Sequence, residues 1–186
     1  MKILALSGSL REGSYNTAII KALKKLETEN ISIEVYKELG ALPFFNADLD
    51  NHTLEQDDSP ALVRKLRKKV SQADALIIST PEYAFELPGV LKNGLDWLVS
   101  SSVIIDKPVV IISASTSGTG GEKAHKRLAD LMNVISGKIV KDSSLQVEKV
   151  NKKIDAQGKV IDMNLLKDLQ NVLIELEKYL INSERK

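Results

Sequence analysis

The sequence predicts a three-layer α/β protein, a parallel sheet covered by helices on both faces, and three observations carry that expectation. Short apolar runs rich in branched residues alternate with stretches of helical periodicity. The runs are apolar at successive positions, as strands buried on both faces are. The alternation repeats five times along 186 residues, about the length of one ordinary domain. A single domain over residues 1–186 is therefore expected, with a five-stranded parallel sheet.

Each element is visible in turn. "KILALS" (2–7) reads as the first strand, and Tyr15, Ala18, Ile19, Ala22, Leu23 and Leu26 recur at helical spacing after it. "SIEVYK" (32–37) is the second strand, followed by a long polar loop around residues 46–60 and a helix carrying Leu62, Val63, Leu66 and Val70. "DALIIST" (74–80) precedes a helix marked by Leu91, Leu95 and Leu98. "PVVIISAS" (108–115) precedes another with Ala124, Leu128, Leu131, Met132 and Ile135. "GKIVKD" (137–142) reads as the fifth strand. A connection over 150–162, turning near Gly158, leads into a last helix from Leu165 to Leu180.

Composition narrows the function classes. Apolar residues make up 43% and charged ones 27%, and a net charge of +1 calls for neither nucleic acid nor an anionic membrane. The absence of cysteine excludes disulfides, thiol catalysis and cysteine-ligated metals. The opening "MKILALSGS" is too short for a signal peptide, no apolar run is long enough to span a bilayer, and a cytoplasmic protein is expected.

The loop "GSLREGSYN" (8–16) joins the first strand directly to a helix, which puts it at the carboxyl edge of the sheet, where ligands of open α/β folds bind. Backbone N–H groups at a helix start attract an anion. Ser9, Ser14 and Asn16 add neutral donors and Arg11 a charged one, a set suited to a phosphate monoester. The Gly-Lys-Ser/Thr of a P-loop and the G-x-G-x-x-G of a dinucleotide fold are both missing. With strand order 2-1-3-4-5, the loops after strands one and three flank one crevice. The second of them, "PEYAF" (81–85), offers a proline-fixed backbone, a carboxylate and two rings to a flat conjugated ligand, and "SASTSGTGG" (113–121) reaches the same edge.

Together, "GSLREGSYN", "PEYAFELPGVLKNGLDW" and the glycine-rich loop after the fourth strand resemble the NADPH-dependent FMN reductase family, flavodoxin-like enzymes that include quinone, azo-dye and chromate reductases. "LPFFNADLD" and "IDAQGKVID" also resemble its connecting segments, so the likeness spans nearly the whole chain. It implies that Ser9, Arg11, Ser14 and Asn16 bind the FMN phosphate, that Pro81, Glu82, Tyr83 and Ala84 line the isoalloxazine edge, and that Ser115, Ser117 and Gly118 approach its other side. It further implies an enzyme that passes hydride from NADPH or NADH through FMN to small acceptors, with no catalytic side chain and no metal. A non-enzymatic FMN-binding electron carrier or redox sensor is the alternative. Two positions depart from the family pattern: Ala84 stands where asparagine is common and Glu86 where a small serine-like residue is common.

Val90, Gly94 and Trp97 form a second apolar face on the third helix, and with the resemblance this suggests a homodimer or homotetramer. The remaining candidates read as background. His52 belongs to a solvated loop, His125 to a helix surface, and the cations of "VRKLRKKV" (63–70) to a solvated face rather than a nucleic-acid surface. No G-x-S-x-G elbow supports a hydrolase.

Overall fold

In the computed structural model, which describes residues 1–53 and 56–184, strands β1 (Lys2–Ser7), β2 (Ser32–Tyr36), β3 (Ala75–Thr80) and β4 (Pro108–Ala114) pair in parallel. They are continued by β5 (Lys138–Ile139) and β6 (Leu145–Val147), giving the order β2-β1-β3-β4-β5 with β6 also on β4. The helices are α1 (Tyr15–Lys25), α2 (Ala61–Gln72), α3 (Gly89–Asp96), α4 (Glu122–Val134) and α5 (Met163–Glu184). The expected winding order is therefore present, with the fifth strand in two pieces. After β5 a 3-10 turn over Lys141–Ser143 leaves the sheet, and the Ser144 hydroxyl accepts from the Ile111 N–H at 3.3 Å where the ladder is broken. The Lys-Asp-Ser-Ser run supplies short polar side chains that compete with a strand ladder for backbone groups.

Side-chain alternation sorts the core onto two faces. Ile3 and Ala5 of β1, Ile77 of β3 and Val110 and Ile112 of β4 pack beneath α1 and α5. Leu4 and Leu6, Leu76 and Ile78, Val109 and Ile111 pack beneath α2, α3 and α4. Every residue of β3 is buried, as a central strand of a three-layer fold requires. Among the described residues, no helix is long and apolar enough to cross a membrane.

Two expectations about helix surfaces are corrected. Arg67 of α2 does not belong to a solvated face: it is 3% exposed. Its guanidinium donates to Asp50 (2.6 Å), Asp57 (3.0 Å), Ser59 (2.7 Å), Ser100 (2.9 Å) and the Trp97 carbonyl. It thereby fastens the loop before α2 to the end of α3. The Gly94 and Trp97 part of the α3 face is also not free, because the chain's own segment 39–45 covers it. Trp97 is fully buried, its indole N–H donates to the Pro43 carbonyl at 2.9 Å, and Phe45 stands edge-on to it at 5.0 Å.

Candidate functional site

The loops after β1, β3 and β4 meet at the carboxyl edge of the sheet. The first runs close against the end of β3: the Gly8 N–H donates to the Ser79 carbonyl at 2.8 Å, and a Cβ on Gly8 would lie 3.1 Å from both Thr80 and Leu91. Its far end enters α1 through Ser14, whose hydroxyl accepts from the Thr17 N–H at 3.2 Å, and that hydroxyl's own proton remains available to an anion. The N–H groups of Tyr15 and Asn16 have no carbonyl within their own helix and point out of its first turn.

Asn16 has a second role that its sequence position does not show. Its side chain is 3% exposed and turned inward, accepting from the Ser79 hydroxyl at 2.9 Å and donating to the Ala114 carbonyl at 3.3 Å. One amide thus ties α1 to the ends of β3 and β4, and the donor that Asn16 offers the crevice is its backbone N–H.

A cavity of about 190 Å³ lies among these loops, and Ser9, Arg11, Ser14, Asn16, Pro81, Glu82, Tyr83 and Ser115 all line it. Tyr15, Ala114 and Thr116 line it as well. Tyr15 was legible only as part of the α1 repeat, and its ring lies 5.4 Å from the Arg11 guanidinium. Arg11 is the only cation of the lining, and its Nη2 donates to the Gly13 carbonyl at 2.6 Å, folding the side chain back over the loop. Ala84, Ser117 and Gly118 do not line the cavity. Ser117 stands beside it, 3.0 Å from Ser115 through their hydroxyls. The loop that carries Ser115 and Ser117 is held to the segment after β6 by bonds from the Lys149 N–H to the Ser117 carbonyl and from the Val150 N–H to the Ser115 carbonyl, 2.9 and 3.0 Å long. Gly120, at φ +60°, lies so close to the segment after β6 that a Cβ there would be 3.1 Å from the Glu148 backbone nitrogen.

Glu82 is the only carboxylate in the lining, and it faces α4. Its Oε2 accepts from the Lys123 N–H at 2.8 Å and the Ala124 N–H at 3.1 Å, so a residue of the β3 loop caps the first turn of α4. Residues 83–86 then form a two-residue hairpin, with Tyr83 N–H to Glu86 at 3.1 Å and Glu86 N–H to Tyr83 at 2.9 Å. Its central residues, Ala84 and Phe85, have φ of +50° and +63°. For residues with a Cβ this left-handed geometry costs about 1–2 kcal/mol each.

His125, expected on a surface, is half-buried, with Nδ1 3.2 Å from the Ser113 hydroxyl. Burial pushes its pKa below the usual 6.5. The unfolded chain therefore takes up this proton first, and stability is lost as pH falls from about 6.5 toward the folded-state value. Denaturant melts at about pH 7.5 and about pH 5 should show this loss, and His125→Gln should flatten that limb.

The cavity's donor set fits a phosphate monoester: two first-turn N–H groups, the Ser9 and Ser14 hydroxyls and one guanidinium, with the neighbouring carboxylate turned away. Residues 1–152 match the family described as NADPH-dependent FMN reductase. The chain is 28% identical over 183 residues to a quinone reductase of Escherichia coli K12, covering 97% of this chain and 95% of that one. It is 31% identical over 176 residues to a 2-hydroxy-1,4-benzoquinone reductase of a Burkholderia species, covering 93% and 92%. Among solved structures it resembles FerB of Paracoccus denitrificans, a flavoenzyme NAD(P)H:(acceptor) oxidoreductase, with a TM-score of 0.82, 27% identity and 95% of both chains covered. With the fold and the family match coinciding, the chain belongs to the NADPH-dependent FMN reductase family.

Proposed function

We propose that this chain is an FMN-dependent NAD(P)H oxidoreductase for small soluble acceptors, quinones foremost, acting in the cytoplasm. The observation that carries the reading is the convergence of Ser9, Arg11, Ser14 and Asn16 with Pro81, Glu82 and Tyr83 on one crevice. A cavity of about 190 Å³ suits the phosphate end of the cofactor, and the exposed Tyr83 at its rim suits the flat ring system. When bound, FMN supplies the redox chemistry, taking hydride from a nicotinamide and returning electrons to the acceptor.

The chain's own residues bind and orient. The N–H groups of Tyr15 and Asn16 and the guanidinium of Arg11 anchor the phosphate, Pro81–Tyr83 meet the ring edge, and Ser115 with its neighbours Ser117 and Gly118 borders the other side. No side chain is assigned a proton-transfer role, since hydride transfer through a flavin requires none. Arg11→Ala should weaken FMN binding about 10- to 150-fold, the worth of one charge-assisted hydrogen bond, read by fluorescence titration.

A homodimer or homotetramer is part of the proposal, now on a different surface from the α3 face. Phe44 is 89% exposed next to Phe45, whose N–H donates to the Asn93 side chain at 2.7 Å, and Leu10, 63% exposed, packs on Gly40. Such exposed apolar groups suit a partner copy. Sedimentation as a monomer at micromolar concentration would count against it.

The catalytic reading is tested by anaerobic addition of NADPH or NADH to the FMN-loaded protein, followed by a quinone. Loss of the flavin absorbance and its return with the quinone is the expected result. Persistent absorbance with both nucleotides would favour an electron carrier or sensor.

A further inference from the structure

We propose that Lys123 and Arg127 of α4 are positioning residues for the flavin edge, holding the Tyr83–Glu86 hairpin in a backbone shape that its own sequence disfavours. The proposal rests on the FMN reading for what the hairpin faces, but the clasp itself stands on the geometry of the chain alone.

A two-residue hairpin with both central residues left-handed forms unaided when those residues are Asn-Gly or Gly-Gly. Here they are Ala84 and Phe85, at φ +50° and +63°. Burial does not compensate, because Tyr83 and Phe85 are 53% and 64% exposed. Among the described residues, the ion pair and the cation–ring contact that reach the hairpin from outside both come from one helix. Glu82, just before it, caps the first turn of α4. The Lys123 ammonium lies 4.0 Å from the centre of the Phe85 ring, and the Arg127 Nε donates to the Glu86 carboxylate at 3.0 Å. Lys123 and Arg127 are four apart and share a helix face, so together they grip two successive hairpin residues.

An exposed ion pair and an exposed cation–π contact each contribute little to global stability. Their effect here is local. Tyr83 is directly opposite Glu86 in the hairpin and lines the cavity, so what holds Glu86 and Phe85 also fixes the residue that borders the cavity. Lys123 and Arg127 do not line the cavity and act through the hairpin.

The test compares Lys123→Met/Arg127→Gln in two backgrounds, the original turn and one carrying Ala84→Asn with Phe85→Gly, the pair that adopts this turn unaided. The first readout is amide hydrogen exchange at Tyr83 and Glu86 in flavin-free protein, and the second is the FMN dissociation constant. In the original background, exchange at these two amides should rise at least tenfold while the central strands are unchanged, and FMN binding should weaken about tenfold. In the relaxed background the same substitutions should move both readouts less than twofold. Unchanged exchange in the original background, or equal changes in both, would overturn the clasp. If no variant, nor the original chain, binds FMN, the flavin reading fails while the exchange measurement still decides the clasp.

Discussion

Arg67→Met should lower the stability of the chain by about 3–5 kcal/mol, the cost of removing one partner from a buried ionic network. For a chain of this size that corresponds to a melting temperature lower by about 6–20 °C. The loss comes from what stays behind. Asp50 and Asp57 lose a guanidinium whose bonds to them measure 2.6 and 3.0 Å, and Ser59, Ser100 and the Trp97 carbonyl lose their donors. Burial by itself would push the Asp57 carboxyl up, but hydrogen bonds from Ser59 and then from Arg67 outweigh it and hold it below the usual range. A depressed carboxyl contributes stability that is present above the unfolded value of about 3.9 and lost as pH falls through the folded one. Arg67→Met should therefore also make the acid limb of the stability profile shallower, which thermal melts between about pH 3 and 7 would show.

Asn16→Ala should destabilise the chain by about 2–4 kcal/mol, combining lost hydrogen bonds, a stranded Ser79 hydroxyl and a small cavity. The same substitution should weaken FMN binding even though the Asn16 amide is turned inward to Ser79 and Ala114. It would remove the link that holds α1 to the ends of β3 and β4, the three elements whose loops wall the crevice. Asn16→Asp keeps the acceptor for Ser79 but sets a carboxylate against the Ala114 carbonyl, and it should be no better than alanine. Urea melts and an FMN titration on each variant check both effects.

The alternation of strands and helices was legible because it follows from spacing. The order 2-1-3-4-5 is that of a flavodoxin-like fold, which the family resemblance implies, and under that order the loops after β1 and β3 must be neighbours. The β5 break was not legible, since "GKIVKD" has the apolar content of a strand and only the polar turn after Val140 interrupts it. Arg67 was legible in principle: it falls four after Val63 and three before Val70, on the stripe that packs against the sheet. The cluster of cations around it drew the reading to solvent. The Glu82 cap on α4 joins residues 41 apart and has no local signature. The left-handed pair Ala84 and Phe85 contradicts local propensity, so only the tertiary contacts with α4 account for it.

We propose the first turn of α1 and the loop before it as a phosphate anchor for FMN. Its most direct test is a side-by-side titration of flavin-free protein with FMN and with riboflavin, which differ by the phosphate alone. FMN should bind at least about 100-fold tighter, with most of that difference lost in Arg11→Ala at raised salt. Equal affinity for the two flavins would contradict it.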